Sequence, residues 1–197
     1  HVDAQFNLGL IYYKGEYVAR DIDKSIYYFS LAANQNYLEA QLKLASIYYE
    51  GEYIQKNINK SIYYYTLAAN QNNLEAQLKL ASIYINGKYV KRDINKSISF
   101  YKEAAKHNSL KAFANLGQIY FEGKYVKKDI EIAIHYYSLA AHQNPHYAQF
   151  YIGLTYEFGK NVQKDINKAI QYYTSAANHN VIEAQFVLGF IYYEGKN

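Results

Sequence analysis

The sequence predicts an all-α solenoid of antiparallel helix pairs. Three observations predict it: an internal period of 36 residues with no insertion, two apolar patterns of 3.6-residue spacing inside each period, and helix breakers held at fixed places in the period. Ala4, Ala40, Ala76, Ala112, Ala148 and Ala184 mark the register, as do Tyr12, Tyr48, Tyr84, Tyr120, Tyr156 and Tyr192. Gly15, Gly51, Gly87, Gly123, Gly159 and Gly195 follow three residues after each tyrosine. The chain, 1–197, reads as one domain of about five and a half repeats, beginning near residues 1, 37, 73, 109, 145 and 181.

In the first helix of the first repeat, Ala4, Leu8, Ile11 and Tyr12 share one face, and Gly15 supplies the left-handed residue that ends it. A short connector leads to Asp21, an N-cap candidate whose counterparts are Asn57, Asp93, Asp129 and Asp165. Ile22, Ser25, Ile26, Phe29, Ala32 and Ala33 form the stripe of the second helix. Asn36, Asn72, Asn108, Asn144 and Asn180 are expected to close the second helices in the left-handed conformation, which asparagine tolerates best after glycine. Gly9, Ala45, Ala81, Gly117, Gly153 and Gly189 keep one position small, so that backbones can approach there. One helix pair cannot bury its own stripe, so neighbouring pairs must stack.

Composition excludes several functions. There is no cysteine, hence no disulfide, thiolate metal site or thiol nucleophile. The net charge of +4 is too mild and too dispersed for a nucleic-acid binder, and Tyr89 and Tyr125 are read as repeat core rather than base-stacking residues. No apolar run reaches the roughly 18–20 residues that cross a bilayer. The chain opens at His1 and has no methionine, so it reads as a processed or shortened chain from which a targeting segment could have been cut, and both a bacterial periplasmic or secreted location and a cytoplasmic one fit.

The run Ala40-Gln41-Leu42-Lys43-Leu44-Ala45-Ser46-Ile47-Tyr48-Tyr49-Glu50-Gly51, with Asn57, Lys60, Tyr64-Tyr65 and Ala68-Ala69-Asn70-Gln71, resembles the Sel1-like repeat. The resemblance covers the whole chain. Asparagine stands where that family closes its unit with glycine, Tyr or Phe stands for its usual tryptophan, and Ile132 interrupts the repeated lysine of positions 24, 60, 96 and 168. The missing cysteines set the chain apart from the family's disulfide-bridged bacterial subgroup. The resemblance implies a right-handed superhelix like that of tetratricopeptide repeats, and a scaffold or adaptor role in protein assemblies.

By analogy with tetratricopeptide repeats, the first helices line a concave groove through positions 3, 6, 10 and 13 of each repeat. Position 3 carries Asp3, Glu39, Glu75, Lys111, Tyr147 and Glu183; position 6 carries Phe6, Leu42, Leu78, Ala114, Phe150 and Phe186. Position 10 carries Leu10, Ser46, Ser82, Gln118, Leu154 and Phe190; position 13 carries Tyr13, Tyr49, Ile85, Phe121, Glu157 and Tyr193. The groove is thus expected to be acidic at one rim with an apolar, aromatic floor. The fifth repeat deviates most: Tyr147, Tyr151, Leu154 and Phe158 form a second apolar stripe, read either as repacking around Pro145 or as a docking surface.

The connectors carry Lys88, Lys91, Arg92, Lys124, Lys127, Lys128, Lys160 and Lys164, read as a solvated edge with attraction for an acidic partner or anionic lipid as the alternative. Catalysis finds no constellation. His107 and His179 replace a repeated glutamine, Pro145 separates His142 from His146, and Glu131 with His135 is a surface pair. No catalytic residue, cofactor or metal is therefore assigned. The expected partner is a protein or peptide. The alternatives are a structural arm of a larger protein, an envelope or effector protein, and a glycan or cell-wall binder. The last first helix has no second helix after it in the sequence. It is expected to leave Phe186, Phe190 and Ile191 partly bare, which would permit self-association.

Overall fold

A computed structural model describes residues 1–159 and 163–195. Among them it has eleven α-helices and no strand: α1 Val2–Lys14, α2 Ile22–Ala33, α3 Leu38–Glu50, α4 Ile58–Asn70, α5 Leu74–Asn86, α6 Ile94–Ala105, α7 Leu110–Glu122, α8 Ile130–Ala141, α9 Pro145–Phe158, α10 Ile166–Ala177 and α11 Ile182–Tyr193. Odd-numbered helices are the first helices of the repeats and even-numbered ones the second. The chain divides into two compact units, His1–Glu103 and Ala104–Asn197, with the boundary inside α6. In the N-terminal unit α2 packs on α1 and α3, and α4 on α3 and α5; in the C-terminal unit α8 packs on α7 and α9, and α10 on α9 and α11.

Each repeat is closed by the same local device. The Asp21 backbone N–H donates to the Tyr12 carbonyl at 3.0 Å, and Asn57, Asp93, Asp129 and Asp165 repeat the bond to Tyr48, Tyr84, Tyr120 and Tyr156. All five residues are N-caps: their side chains accept from the backbone N–H three residues on, which satisfies a donor that the helix itself leaves open. Lys24 supplies that N–H to Asp21, sets its ammonium 3.1 Å from the same carboxylate, and lies 5.2 Å from the Tyr12 ring centroid. Lys60, Lys96 and Lys168 take the same place over Tyr48, Tyr84 and Tyr156. The Tyr12 ring stacks in turn on Tyr28 at 5.8 Å, and an equivalent stack recurs in the next four repeats. Where Ile132 replaces the lysine, the Tyr120–Tyr136 stack is the most tilted of the five, at 15°.

At Gly9, Gly117 and Gly153 the position is small because an aromatic ring occupies its space. A Cβ on Gly9 would lie 2.5 Å from the Phe29 ring, and one on Gly153 would lie 2.5 Å from Tyr173. Ser25 and Ser97 hydroxyls, both buried, donate across the pair to the Gly9 and Ala81 carbonyls at 2.9 and 2.8 Å.

Asn36, Asn72, Asn108 and Asn180 have φ between 53° and 62°, as their helix-closing position requires. Tyr37, Asn73 and Val181 follow three of them, and each donates its N–H back to the carbonyl of Ala32, Ala68 or Ala176. Asn144 departs from the expected left-handed geometry. Pro145 follows it, has no N–H for that bond, and disfavours helical geometry in the residue before it. Asn144 is therefore extended (φ −137°, ψ 113°), caps α9 by accepting from the His146 N–H at 2.9 Å, and leaves Pro145 as the first residue of that helix.

Candidate partner-binding surface

Several positions that recur from repeat to repeat are committed to packing. Ala40, Leu44, Ala76, Leu80, Ala112 and Leu116 are fully buried, as are Phe29, Tyr137 and Tyr173 on the second helices. In the N-terminal unit the predicted groove positions behave differently. Phe6, Leu10 and Tyr13 on α1, Leu42 and Tyr49 on α3, and Leu78 on α5 are all half-buried, the first five packed against the buried core. Phe6 leans on Phe29 and on Tyr37 of the next repeat, at 5.5 and 5.1 Å.

A ladder of rings and cations runs beside them. Tyr13 meets Tyr53 edge-on at 6.0 Å and Tyr49 meets Tyr89 edge-on at 6.3 Å. Arg20 lies over Tyr53, and Lys56 over both Tyr49 and Tyr89. Lys88 and Lys56 beside the Tyr89 hydroxyl pull its pKa below the usual phenol value, whereas a hydrogen bond with Glu52 raises that of Tyr53. Tyr89 and Tyr125 are about two-fifths exposed, which corrects their reading as core. The 36-residue recurrence of Tyr17, Tyr53, Tyr89 and Tyr125 mimics a packing signal, yet the connector holds all four at the surface.

In the C-terminal unit Gln118 and Phe121 on α7 are half-buried, and so are Tyr147 and Tyr151 on α9. Phe158 is 39 % exposed, Phe186 54 % and Phe190 50 %. Two candidates are corrected: Phe150 and Leu154 are fully buried and belong to the core. The Phe150 ring is wedged between Tyr137 of α8 and Tyr173 of α10, at 4.7 and 5.5 Å, so its bulk closes the space that a smaller side chain would leave open. The apolar stripe of α9 is thus turned largely inward, with Tyr147 and Tyr151 against the same core and only Phe158 well exposed. Ile191, expected partly bare, is 2 % exposed.

These residues build one open cavity of about 560 Å³ on the first helices of the unit. Phe121 and Phe158, edge-on at 6.1 Å, and Phe186 and Phe190 supply its aromatic walls, and Val187 and Ile191 its aliphatic base. Glu122, Glu157, Lys124 and Lys128 stand around it. Glu157 accepts from the Tyr173 hydroxyl at 2.5 Å, and Glu122 accepts from the Gln118 amide at 2.7 Å. Lys128 lies over the Phe121 ring and Lys124 over Tyr125, each at 5.2 Å. Beside the cavity Glu183 is buried and accepts from Tyr147 at 2.8 Å. Val187 was missed as a wall residue although its repeat position is Asn7, Lys43, Lys79 and Asn115 earlier in the chain, a departure that could have marked it; Ile191 shares its position with Ile11, Ile47, Ile83 and Ile119 and carries no such signal.

The Sel1 repeat model matches residues 2–37, 38–73, 74–109, 111–145, 146–181 and 182–197, which leaves almost no residue outside a repeat. This chain belongs to the Sel1-repeat family. The Sel1 repeat protein from Oxalobacter formigenes is 33 % identical over 99 % of this chain and 80 % of its own, with a TM-score of 0.67. A protective antigen present in uropathogenic Escherichia coli strains, with the same repeat fold, is 27 % identical over 98 % of this chain, with a TM-score of 0.73. This chain spans only 42 % of that antigen's length. Comparison with curated proteins gives no match.

Sel1-repeat proteins are generally protein-interaction scaffolds and generally non-catalytic. Several of this chain's titratable side chains are engaged within the repeats. His146 stacks on His179 at 3.9 Å, and His179 lies within 2.7 Å of the Ser175 carbonyl. Burial, reinforced by Glu157, pushes the Tyr173 phenol far above its usual pKa, which suits a structural donor and not an acid catalyst. The connector lysines Lys88, Lys91, Lys124, Lys127, Lys128 and Lys164 are exposed, as is Arg92; Lys160, counted with them, lies outside the described residues. No described helix is long and apolar enough to cross a membrane.

Proposed function

We propose that this Sel1-repeat chain is a non-catalytic scaffold that holds a peptide or protein segment against its first helices. The observation that carries the reading is the contrast between repeat positions. The constant alanine and leucine positions of the inner first helices, as at Ala40, Leu44, Ala76 and Leu80, are buried, whereas Phe6, Leu10, Tyr13, Leu42 and Tyr49 offer apolar surface while staying anchored to the core, and Leu78 is half-buried. Anchored aromatic side chains lose little freedom on contact and carry a large share of interface energy. The cavity on the first helices of the C-terminal unit extends the same character to Phe121, Phe158, Phe186 and Phe190.

Photo-crosslinking tests it. A photoreactive phenylalanine at Leu42, Tyr49 or Phe186 is expected to trap a discrete protein from the native source. The same group at Tyr27 or Tyr63, exposed on the second helices, is expected to trap none. Trapping from Tyr27 and Tyr63 alone would overturn the proposal.

A further inference from the structure

The aromatic cavity of the C-terminal unit has a chemistry that narrows its occupant, and we infer that it takes a basic, apolar protein segment: a large apolar side chain entering between Phe121, Phe158, Phe186 and Phe190, with a lysine or arginine within about one helical turn of it. The inference rests on the groove reading proposed above and says what kind of segment that groove selects.

Shape fixes the apolar half. The cavity of about 560 Å³ lies in the range, roughly 300–1,000 Å³, of sites that enclose compact ligands. Phe186 and Phe190 stand half exposed along its wall, where an inserted side chain would remove their faces from water. Burying one large apolar side chain is worth roughly ten- to a hundredfold in affinity, enough to make this pocket the anchor of a longer contact.

Charge fixes the basic half. Three carboxylates, Glu122, Glu157 and Glu183, stand in or beside the cavity, and each is held by a neutral donor: Gln118, Tyr173 and Tyr147. A neutral donor fixes the carboxylate without cancelling its charge. Among the described residues no lysine or arginine pairs with any of the three. Glu157 and Glu183 are tied to tyrosines rooted in the core, so the negative charge is built in. Lys124 and Lys128 also border the cavity, but both are exposed, flexible and laid across aromatic faces. Lys128 over Phe121 marks a place where this wall accepts a cation, and an incoming guanidinium could occupy it at least as well. An acidic segment would instead meet two fixed, partly or fully buried carboxylates, Glu157 and Glu183, with the exposed Glu122 beside them, a costly encounter.

Selection from a random peptide library displayed on phage, against the immobilised chain, tests the inference. Enriched peptides are expected to place Phe, Leu, Ile or Met within four residues of Lys or Arg. The double variant Phe186→Ser, Phe190→Ser is expected to weaken a selected peptide at least about tenfold. Glu122→Lys, on an exposed side chain, is expected to weaken it several-fold and flatten its salt dependence. Melting curves of both variants check that the fold is intact. Enrichment of acidic peptides, or binding indifferent to both variants but lost with Leu42→Ser and Tyr49→Ala, overturns this inference and leaves the groove reading standing. No enrichment at all, or binding lost only with Tyr27→Ser and Tyr63→Ser, overturns both.

Discussion

The hydroxyl of Tyr173 on α10 donates to the carboxylate of Glu157 on α9 across 2.5 Å, and ties the second helix of the fifth repeat to the cavity wall. Tyr173→Phe keeps the ring that packs on Phe150 and removes only the donor, leaving a half-buried carboxylate with less support. The expected loss is about 2 kcal/mol, the scale of a hydrogen bond to a charged group, read as a lower urea midpoint at unchanged slope.

Buried phenols make the fold sensitive to alkali. Burial, the largest cause for all of them, raises the pKa of Tyr65, Tyr101, Tyr137, Tyr147 and Tyr173 above 10.0, Tyr101 to about 12. A phenol whose pKa is raised on folding loses its proton more readily in the unfolded chain. Stability is therefore intact below about pH 10 and falls as pH climbs past it. Phenolate absorbance should show the exposed tyrosines ionising first, followed by a cooperative step that coincides with loss of helical circular dichroism. Ionisation of all tyrosines in one smooth curve with helicity retained would contradict it.

The serines of the second helices should respond in opposite directions. Ser25 donates to the Gly9 carbonyl, whereas the equally buried Ser61 hydroxyl has no partner. Ser25→Ala should cost about 1 kcal/mol, and Ser61→Ala should be neutral or stabilising, since a buried unpaired hydroxyl is itself unfavourable. The chain carries alanine at the same place in later repeats, at Ala133 and Ala169. Thermal melts of the two variants decide it.

Gly153 and Gly189 hold one repeat position in different surroundings. A methyl on Gly153 meets the Tyr173 ring at 2.5 Å, whereas among the described residues nothing lies within 4 Å of one on Gly189. Gly153→Ala should destabilise by about 1–3 kcal/mol through overpacking. Gly189→Ala, inside α11, should stabilise by about 0.5–1 kcal/mol through helix propensity.

The period made the eleven helices legible in the sequence, because one-residue caps such as Asp21 and Gly15 and one-residue stripes such as Ala40 and Leu44 each have a single structural solution. The fifth repeat was less legible. The sequence shows Pro145 but not its effect on Asn144, which depends on a backbone bond that proline cannot donate. Phe150 and Leu154 occupy groove positions by register, yet the space between Tyr137 and Tyr173 draws Phe150 inward, and that space is a property of three helices together. The cavity was half visible: Phe121, Phe186 and Phe190 stand at groove positions and Phe158 in the apolar stripe of the fifth repeat, whereas the donors that fix Glu157 and Glu183 lie 16 and 36 residues away in sequence.

The central claim is that binding belongs to the first helices. The most direct measurement compares the affinity of one library-selected peptide for the wild-type chain, for a first-helix variant carrying Leu42→Ser, Tyr49→Ala and Phe186→Ser, and for a second-helix variant carrying Tyr27→Ser and Tyr63→Ser. The account predicts a loss of at least about tenfold in the first variant and wild-type affinity in the second. Wild-type affinity in the first variant, with the loss confined to the second, would contradict it.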